Sequence, residues 1–476
     1  MTRTKINLIY SISYQILITM LPLITSPYIS RVLGAYNLGI YSFTLTIVNY
    51  FVIFTMLGLA NFGNRSISIS KGGRTELSKR FSEIYLMQFT MGFICTTIYI
   101  LFVLSSATKD ILFIQSLNVI AAIFDITWFY FGIGEFKITV IRNTIIKILT
   151  IISIFVFVRS ENDLWIYALI MSVGVLLSNL YLWFFLKKYV DFKIPRVKAV
   201  IQHIGPNLVM FIPVISISIY QQVNRLILGL NNAMDEVGFF DNAMKLVGIP
   251  FSIVVAFSAV MLPKMSKMFS DGKIEAIKVS IDRSTQAIIF FAAASTFGLI
   301  SVGREFAILF FGSDFIRSGD IIVLLSPMII FKAWANIIRT QYLIPFQKNK
   351  TYIRSIIIGA VLNLGFNLIL IPQYGGIGAT IGTLAAEFTV AAVQSWEIRN
   401  DLPIFEYFKN SSIYLLSGIL MFCSIQILSL FINLNNWMTL MMKIILGGGV
   451  YVIFIALYFT YVKKIDLKSL ILTSMK

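Results

Sequence analysis

Apolar stretches of about 20 residues recur along this chain roughly every 34 residues, almost from one end to the other. No water-soluble core can absorb such a series. A hydrocarbon layer about 30 Å thick is crossed by an α-helix of about 20 apolar residues, because helices and closed barrels alone satisfy every backbone group there. The composition agrees: 58% of the 476 residues are hydrophobic, only 13% are charged, and the mean hydropathy is +0.84. A soluble enzyme of this size is excluded, and the chain is expected to be an all-α integral membrane protein.

A window of about 19 residues places about fourteen transmembrane helices, centred near Met20, Val48, Ile94, Ala122, Ile152, Leu176, Val214, Ile253, Ala292, Ile330, Leu362, Ala385, Leu420 and Tyr451. The first follows only Arg3 and Lys5 and so begins like a signal peptide. Pro22, Pro27 and bulky residues stand where a small-residue cleavage site belongs, which predicts a retained span.

The 39 Lys and Arg against 22 Asp and Glu give a net charge of +17. In a soluble chain this would suggest nucleic acid; here the surplus sorts by side. With a cytoplasmic amino terminus, 28 basic residues fall in cytoplasmic segments, six in spans, and five (Arg31, Lys109, Arg159, Arg304, Arg317) in outer loops. That asymmetry follows the positive-inside rule and would collapse if one span were missed. Both termini are therefore expected in the cytoplasm, and no nucleic-acid partner is expected. Cys95 and Cys423 lie in apolar runs and His203 is the single histidine, so no disulfide framework, metal motif or catalytic residue is assigned.

The halves of the chain resemble each other weakly but in order. Each has a proline-interrupted span (Pro22 and Pro27; Pro206 and Pro213), an arginine at its outer end (Arg31; Arg225), then a glycine and an aromatic (Gly39 to Tyr41; Gly238 to Phe240). Matched interrupted spans point to a transporter built from repeats with the substrate site between them, and to hinges near these prolines and Pro250. Since both spans start on the same side, the repeats are parallel. The expected organisation is an amino-terminal lobe of six spans (1–190), a basic cytoplasmic connector (191–204), a second six-helix lobe (205–400), and two further spans with a cytoplasmic tail (401–476), the lobes enclosing a central cavity.

Ionisable groups at bilayer depth are costly and usually face a partner or a wet cavity. Lys332, Asn336 and Arg339 follow at spacings of four and three, which puts them on one helical face. Two cations there suit an anionic ligand, phosphate above all; alternatively Lys332 pairs with Glu387 and Arg339 snorkels to the interface. With Arg31 and Arg225 they form the substrate-binding candidates. Asp125 and Glu387 are the deepest carboxylates, each able to carry a coupling proton if burial raises its pKa. Asn363 and Asn367 offer amide oxygens for sodium, or hydrogen-bonded helix contact. Asp241 and Lys245 are outer-gate candidates. Gly378 and Gly382 mark a close-packing helix face. Glu161 and Asp163 form an acidic ExD pair in an outer loop, a pattern that some lipid-sugar transferases use for a metal, which keeps a membrane glycosyltransferase or polymerase as a further alternative.

Three segments, NLIYSISYQILITMLPLITSPYISRVLGAYNLGIYSFTLTIVNYF, MLGLANFGNRSIS and LNLGFNLILIPQYGGIGATIGTLAAE, closely resemble the polysaccharide (Wzx-type) branch of the multidrug/oligosaccharidyl-lipid/polysaccharide (MOP) exporter superfamily. The resemblance implies a flippase of the bacterial cytoplasmic membrane whose lobes open alternately around a cationic cavity. It would move undecaprenyl-pyrophosphate-linked oligosaccharide from the inner to the outer leaflet for capsule, exopolysaccharide or O-antigen synthesis, without a cofactor and coupled to a proton or sodium gradient. Membrane lipid and the pathway's polymerase and glycosyltransferases are the implied partners. Arg31, within SRVLGA, takes a substrate role from this resemblance. A teichoic-acid or peptidoglycan lipid cargo and a drug/cation antiporter remain as alternatives.

Overall fold

A computed structural model describes residues 3–70, 73–106, 109–191, 193–431 and 437–462, with side chains from residue 23 onward except at 216 and 462. Every regular element among them is helical, as hydrocarbon demands of a backbone with no water to bond. Among the described residues, twelve helices are long and apolar enough to cross a membrane, or thirteen if the bent pair Ser313–Leu325 and Met328–Leu343 is one span. Against the expected fourteen, the thirteen centres from Val48 to Tyr451 lie on these helices; the span centred on Met20 and the tail beyond 462 fall where side chains or backbone are not described.

Helix α1 (Arg3–Met56) has 54 residues, about 81 Å at 1.5 Å per residue, far more than one crossing needs. It breaks at Gly34, where φ is 74° and ψ 172°, a conformation that a residue with a Cβ rarely adopts. On either side, the Tyr28 hydroxyl donates to the Val158 carbonyl and the Asn37 amide to that of Glu161. Both flanks therefore reach one short loop, and the chain turns at Gly34.

The chain divides into two compact units, 1–238 and 239–476. In the first, α1 is followed by α2 (Leu59–Ser68), α3 (Gly73–Leu104), α4 (Lys109–Ile123), α5 (Thr127–Gly132), α6 (Phe136–Phe157), α7 (Leu164–Leu186) and α8 (Val197–Leu230). Helix α4 packs on α1, α3 and α7, meeting α1 and α3 around Val48, Tyr99, Val103, Leu112 and Val119, while Phe81, Ile84, Trp128, Phe129 and Leu182 form a second core between α3, α5 and α7. Lipid removes most of the hydrophobic drive between helices, so contact depends on close van der Waals fit. Gly63 illustrates this: a Cβ there would stand 2.7 Å from the Trp128 ring.

The second unit contains most of α9 (Met234–Ser270), then α10 (Ile274–Phe311), α11 (Ile316–Leu325), α12 (Met328–Ile338), α13 (Asn349–Tyr374), α14 (Gly376–Glu397), α15 (Ile404–Phe431) and α16 (Trp437–Leu457). Helix α10 packs on α11, α12, α15 and α16, and α14 on α12 and α13. Pro206 and Pro213 lie within the single helix α8, and Pro250 within α9. The sharp bend is elsewhere: α11 and α12 meet at 45° across Ser326 and Pro327, where proline denies the helix a backbone N–H.

Candidate functional site

The polar stripe of the tenth span lies on α12 and its continuation. Helix α12 runs as regular α-helix to Ile338 and then widens into a five-residue π segment, Arg339–Leu343. Such a segment is rare and frequently marks a functional position. The Lys332 ammonium is 3.2 Å from the Glu387 carboxylate on α14 and 5.4 Å from the centre of the Phe251 ring on α9. Asn336, one turn on, accepts a hydrogen bond from the buried Ser258 hydroxyl of α9. Arg339 turns instead towards α13: its guanidinium donates to the Tyr352 hydroxyl at 3.4 Å and lies 5.8 Å from that ring's centre. Its Nε is buried without a hydrogen-bond partner. Two residues on, Gln341 is fully buried and both polar atoms of its amide lack a partner. The sequence reading passed over Gln341, although a glutamine in the run IIRTQYLI was the available signal.

Glu387 and the asparagine pair share one helix interface. The Asn367 amide donates to the Asn363 side-chain oxygen at 3.0 Å, and both residues are buried. The glycines of α14 make room for them: a Cβ on Gly382 would lie 2.4 Å from the Asn367 side-chain oxygen, and one on Gly378 2.4 Å from the Leu370 carbonyl. The asparagines, Gly382 and Glu387 thus lie at or beside the tight α13–α14 contact, and Lys332 reaches Glu387 from α12.

The other candidates lie apart from this cluster. Arg31 is exposed, one turn before Gly34. Arg225 is half-buried near the end of α8 and donates to the Gln221 carbonyl one turn back. Asp241 is buried and pairs at 2.7 Å with Lys245, one turn along α9. Asp125 sits in the three-residue break between α4 and α5, where its carboxylate accepts the Thr127 backbone N–H at 2.9 Å, a local turn just before α5. That break exposes carbonyls that the membrane cannot satisfy, and neighbouring side chains take them. The Gln88 amide donates to Ala122 and Asp125, Asn179 to Ala121, and the Trp183 indole to Phe124. Gln88 also accepts the Trp128 indole N–H at 2.9 Å.

A further ion pair joins Lys443 of α16 to Glu305 of α10, with the lysine side chain only 3% exposed. No cluster of His, Cys, Asp and Glu fit to hold a metal ion occurs among the described residues.

A chain whose described regular elements are all helical, with this many helices able to cross a membrane and with charges paired along them, is a multi-pass α-helical membrane protein. The backbone superposes on the lipid II flippase MurJ in an inward closed conformation with a TM-score of 0.75, at 18% identity, over 95% of this chain and 98% of that one. Residues 5–269, more than half of the chain, match the family described as polysaccharide biosynthesis protein, and the chain belongs to that family. Two relatives are named as candidate O-antigen transporters. One, from Shigella dysenteriae, is 24% identical over 78% of this chain and 93% of its own length. The other, from Escherichia coli K12, is 22% identical over 83% and 96%.

Proposed function

We propose that the chain flips a lipid-linked oligosaccharide repeat unit, carried on undecaprenyl pyrophosphate, from the inner to the outer leaflet of the bacterial cytoplasmic membrane by alternating access. The observation that carries this reading is Lys332, an ammonium within an apolar span, held by the Glu387 carboxylate and facing an aromatic ring. A pyrophosphate with its sugars cannot cross about 30 Å of hydrocarbon unaided. A half-buried cation at membrane depth whose counter-ion can be exchanged for a diphosphate lowers that barrier. The names of the two relatives and the family match support the saccharide cargo. The excess of basic residues on one set of loops supports cytoplasmic termini.

In this reading Glu387 holds Lys332 when the site is empty and gives it up when diphosphate takes the lysine. A proton gradient would couple through that exchange, and a sodium gradient through Asn363 and Asn367. The polymerase and glycosyltransferases that make and use the cargo are the expected functional partners.

Inverted membrane vesicles loaded with labelled lipid-linked oligosaccharide test the reading. Transport is expected in the parent and lost, by tenfold or more, in Lys332→Ala with Arg339→Ala. Undiminished transport by that variant overturns the site. Absence of transport by the parent, with lipid II or a cationic drug moved instead, overturns the cargo.

A further inference from the structure

Helices α9 and α10 are joined by a short turn, and between them, next to it, opens a cavity of about 700 Å³. Its lining is mixed: Phe257, Met261 and Met268 supply apolar wall along α9, while Lys264, Ser280, Arg283 and Ser284 supply polar groups, with Glu275 also at the wall. Glu275 is already engaged with Lys278 at 2.8 Å, its side chain 84% exposed. Among the described residues Lys264 and Arg283 make no ion pair.

The depth of these two cations is set by the sequence. Residues 246–263, before Lys264 on α9, contain no charge across 18 positions, and residues 284–303, after Arg283 on α10, contain none across 20. At 1.5 Å per residue these stretches are about 27 and 30 Å long, the thickness of the hydrocarbon core. Lys264 and Arg283 are thus the first charges outside it, at the level where lipid phosphates lie, and they line a cavity that also offers apolar surface. Lone snorkelling cations do not need such a cavity; two of them on adjacent helices with hydroxyls between suit a phosphate, Arg supplying a fork of donors and Lys a point charge.

We propose that this cavity binds the phosphate headgroup of a membrane lipid, with Lys264 and Arg283 on the phosphate oxygens, Ser280 donating to them, and the first carbons of the lipid chain along Phe257 and Met261. The site is separate from the Lys332–Glu387 pair and does not depend on the cargo assignment. The lipid carrier's pyrophosphate and the headgroup of an anionic phospholipid share this chemistry.

The full chain, reconstituted in phosphatidylcholine nanodiscs with a photo-crosslinking amino acid at Ala276, separates the sources. Labelled undecaprenyl pyrophosphate is expected to crosslink, and neutral undecaprenol is not. Competition by phosphatidylglycerol at equal concentration assigns the site to ordinary anionic lipid; its failure to compete assigns it to the carrier. Lys264→Gln with Arg283→Gln is expected to weaken crosslinking at least tenfold, and Lys264→Arg with Arg283→Lys to retain it. Equal crosslinking of undecaprenol, or no loss in the charge-removing variant, overturns the proposal. If vesicle transport proceeds while no phosphate lipid crosslinks, this inference fails and the flippase reading stands.

Discussion

Two regions of the molecule, the α4–α5 break in the first unit and the α10, α12, α14 and α16 contacts in the second, solve the same problem, polar groups inside a membrane, by different means. In the first, the break between α4 and α5 leaves carbonyls that are met by neutral donors, Gln88, Asn179 and Trp183. In the second, charges meet charges, Lys332 with Glu387 and Lys443 with Glu305, and amides meet amides at Asn363 and Asn367. Neutral bonds to backbone fix a shape and give a ligand little to exchange. An ion pair can be re-partnered by an anion or a proton. The contrast assigns rigidity to the first unit's helix break and exchange to the second unit's pair.

Breaking the second arrangement is expected to have the largest effect. Lys332→Met strands the Glu387 carboxylate in a largely apolar setting, costing about 3 kcal/mol in stability and abolishing transport. Adding Glu387→Gln is expected to restore the thermal midpoint in nanodiscs while transport stays lost. If the double variant transports, the pair is structural and the contrast between units fails. Next in size is Gln88→Leu, which orphans the Trp128 N–H and the carbonyls of Ala122 and Asp125 at a cost of about 1–3 kcal/mol, read as a lower unfolding midpoint with no change in the pH dependence of transport.

A similar loss, about 1–3 kcal/mol for overpacking, is expected for Gly382→Ala, whose new methyl would meet Asn367. Gly365→Ala in α13 has open space around it and is expected to be neutral or slightly stabilising. Smallest is the surface pair of Lys348 and Asp401, where the hydrogen bond from Lys348 holds the aspartate below the usual carboxylate range. A depressed folded pKa stabilises above the unfolded value, near 4, and that contribution disappears as pH falls through the folded value. Asp401→Asn is therefore expected to lower stability by under about 1 kcal/mol at pH 7 and by nothing near pH 2, checked by thermal melts at both.

Much of this was legible in the chain as written. Apolar runs report helices directly, because hydrocarbon admits little else, and Gly378 and Gly382 announced a close contact that α13 fills. The partner of Lys332 was legible as one of two options, since a buried cation must be paired or liganded. Gln88 and Gln341 were not legible. A glutamine in an apolar run barely changes hydropathy, and its worth depends on carbonyls freed by a break elsewhere in the fold. The turn of the Lys332–Asn336–Arg339 stripe away from a single face was hidden for a related reason: i, i+4, i+7 spacing assumes an unbroken α-helix, and widening begins at Arg339 itself.

That π segment, five residues long, makes the tenth span sensitive to length rather than to residue type. A π turn holds one residue more than the α turn it replaces, so deleting a single residue from 339–343 would let the helix close as regular α. The helix on either side would keep its facing, because the π turn already absorbs the extra residue, whereas the same deletion elsewhere in the span would rotate one side by about 100° relative to the other. One-residue deletions and insertions scanned through this span would therefore map where its register is fixed, which no substitution series can do.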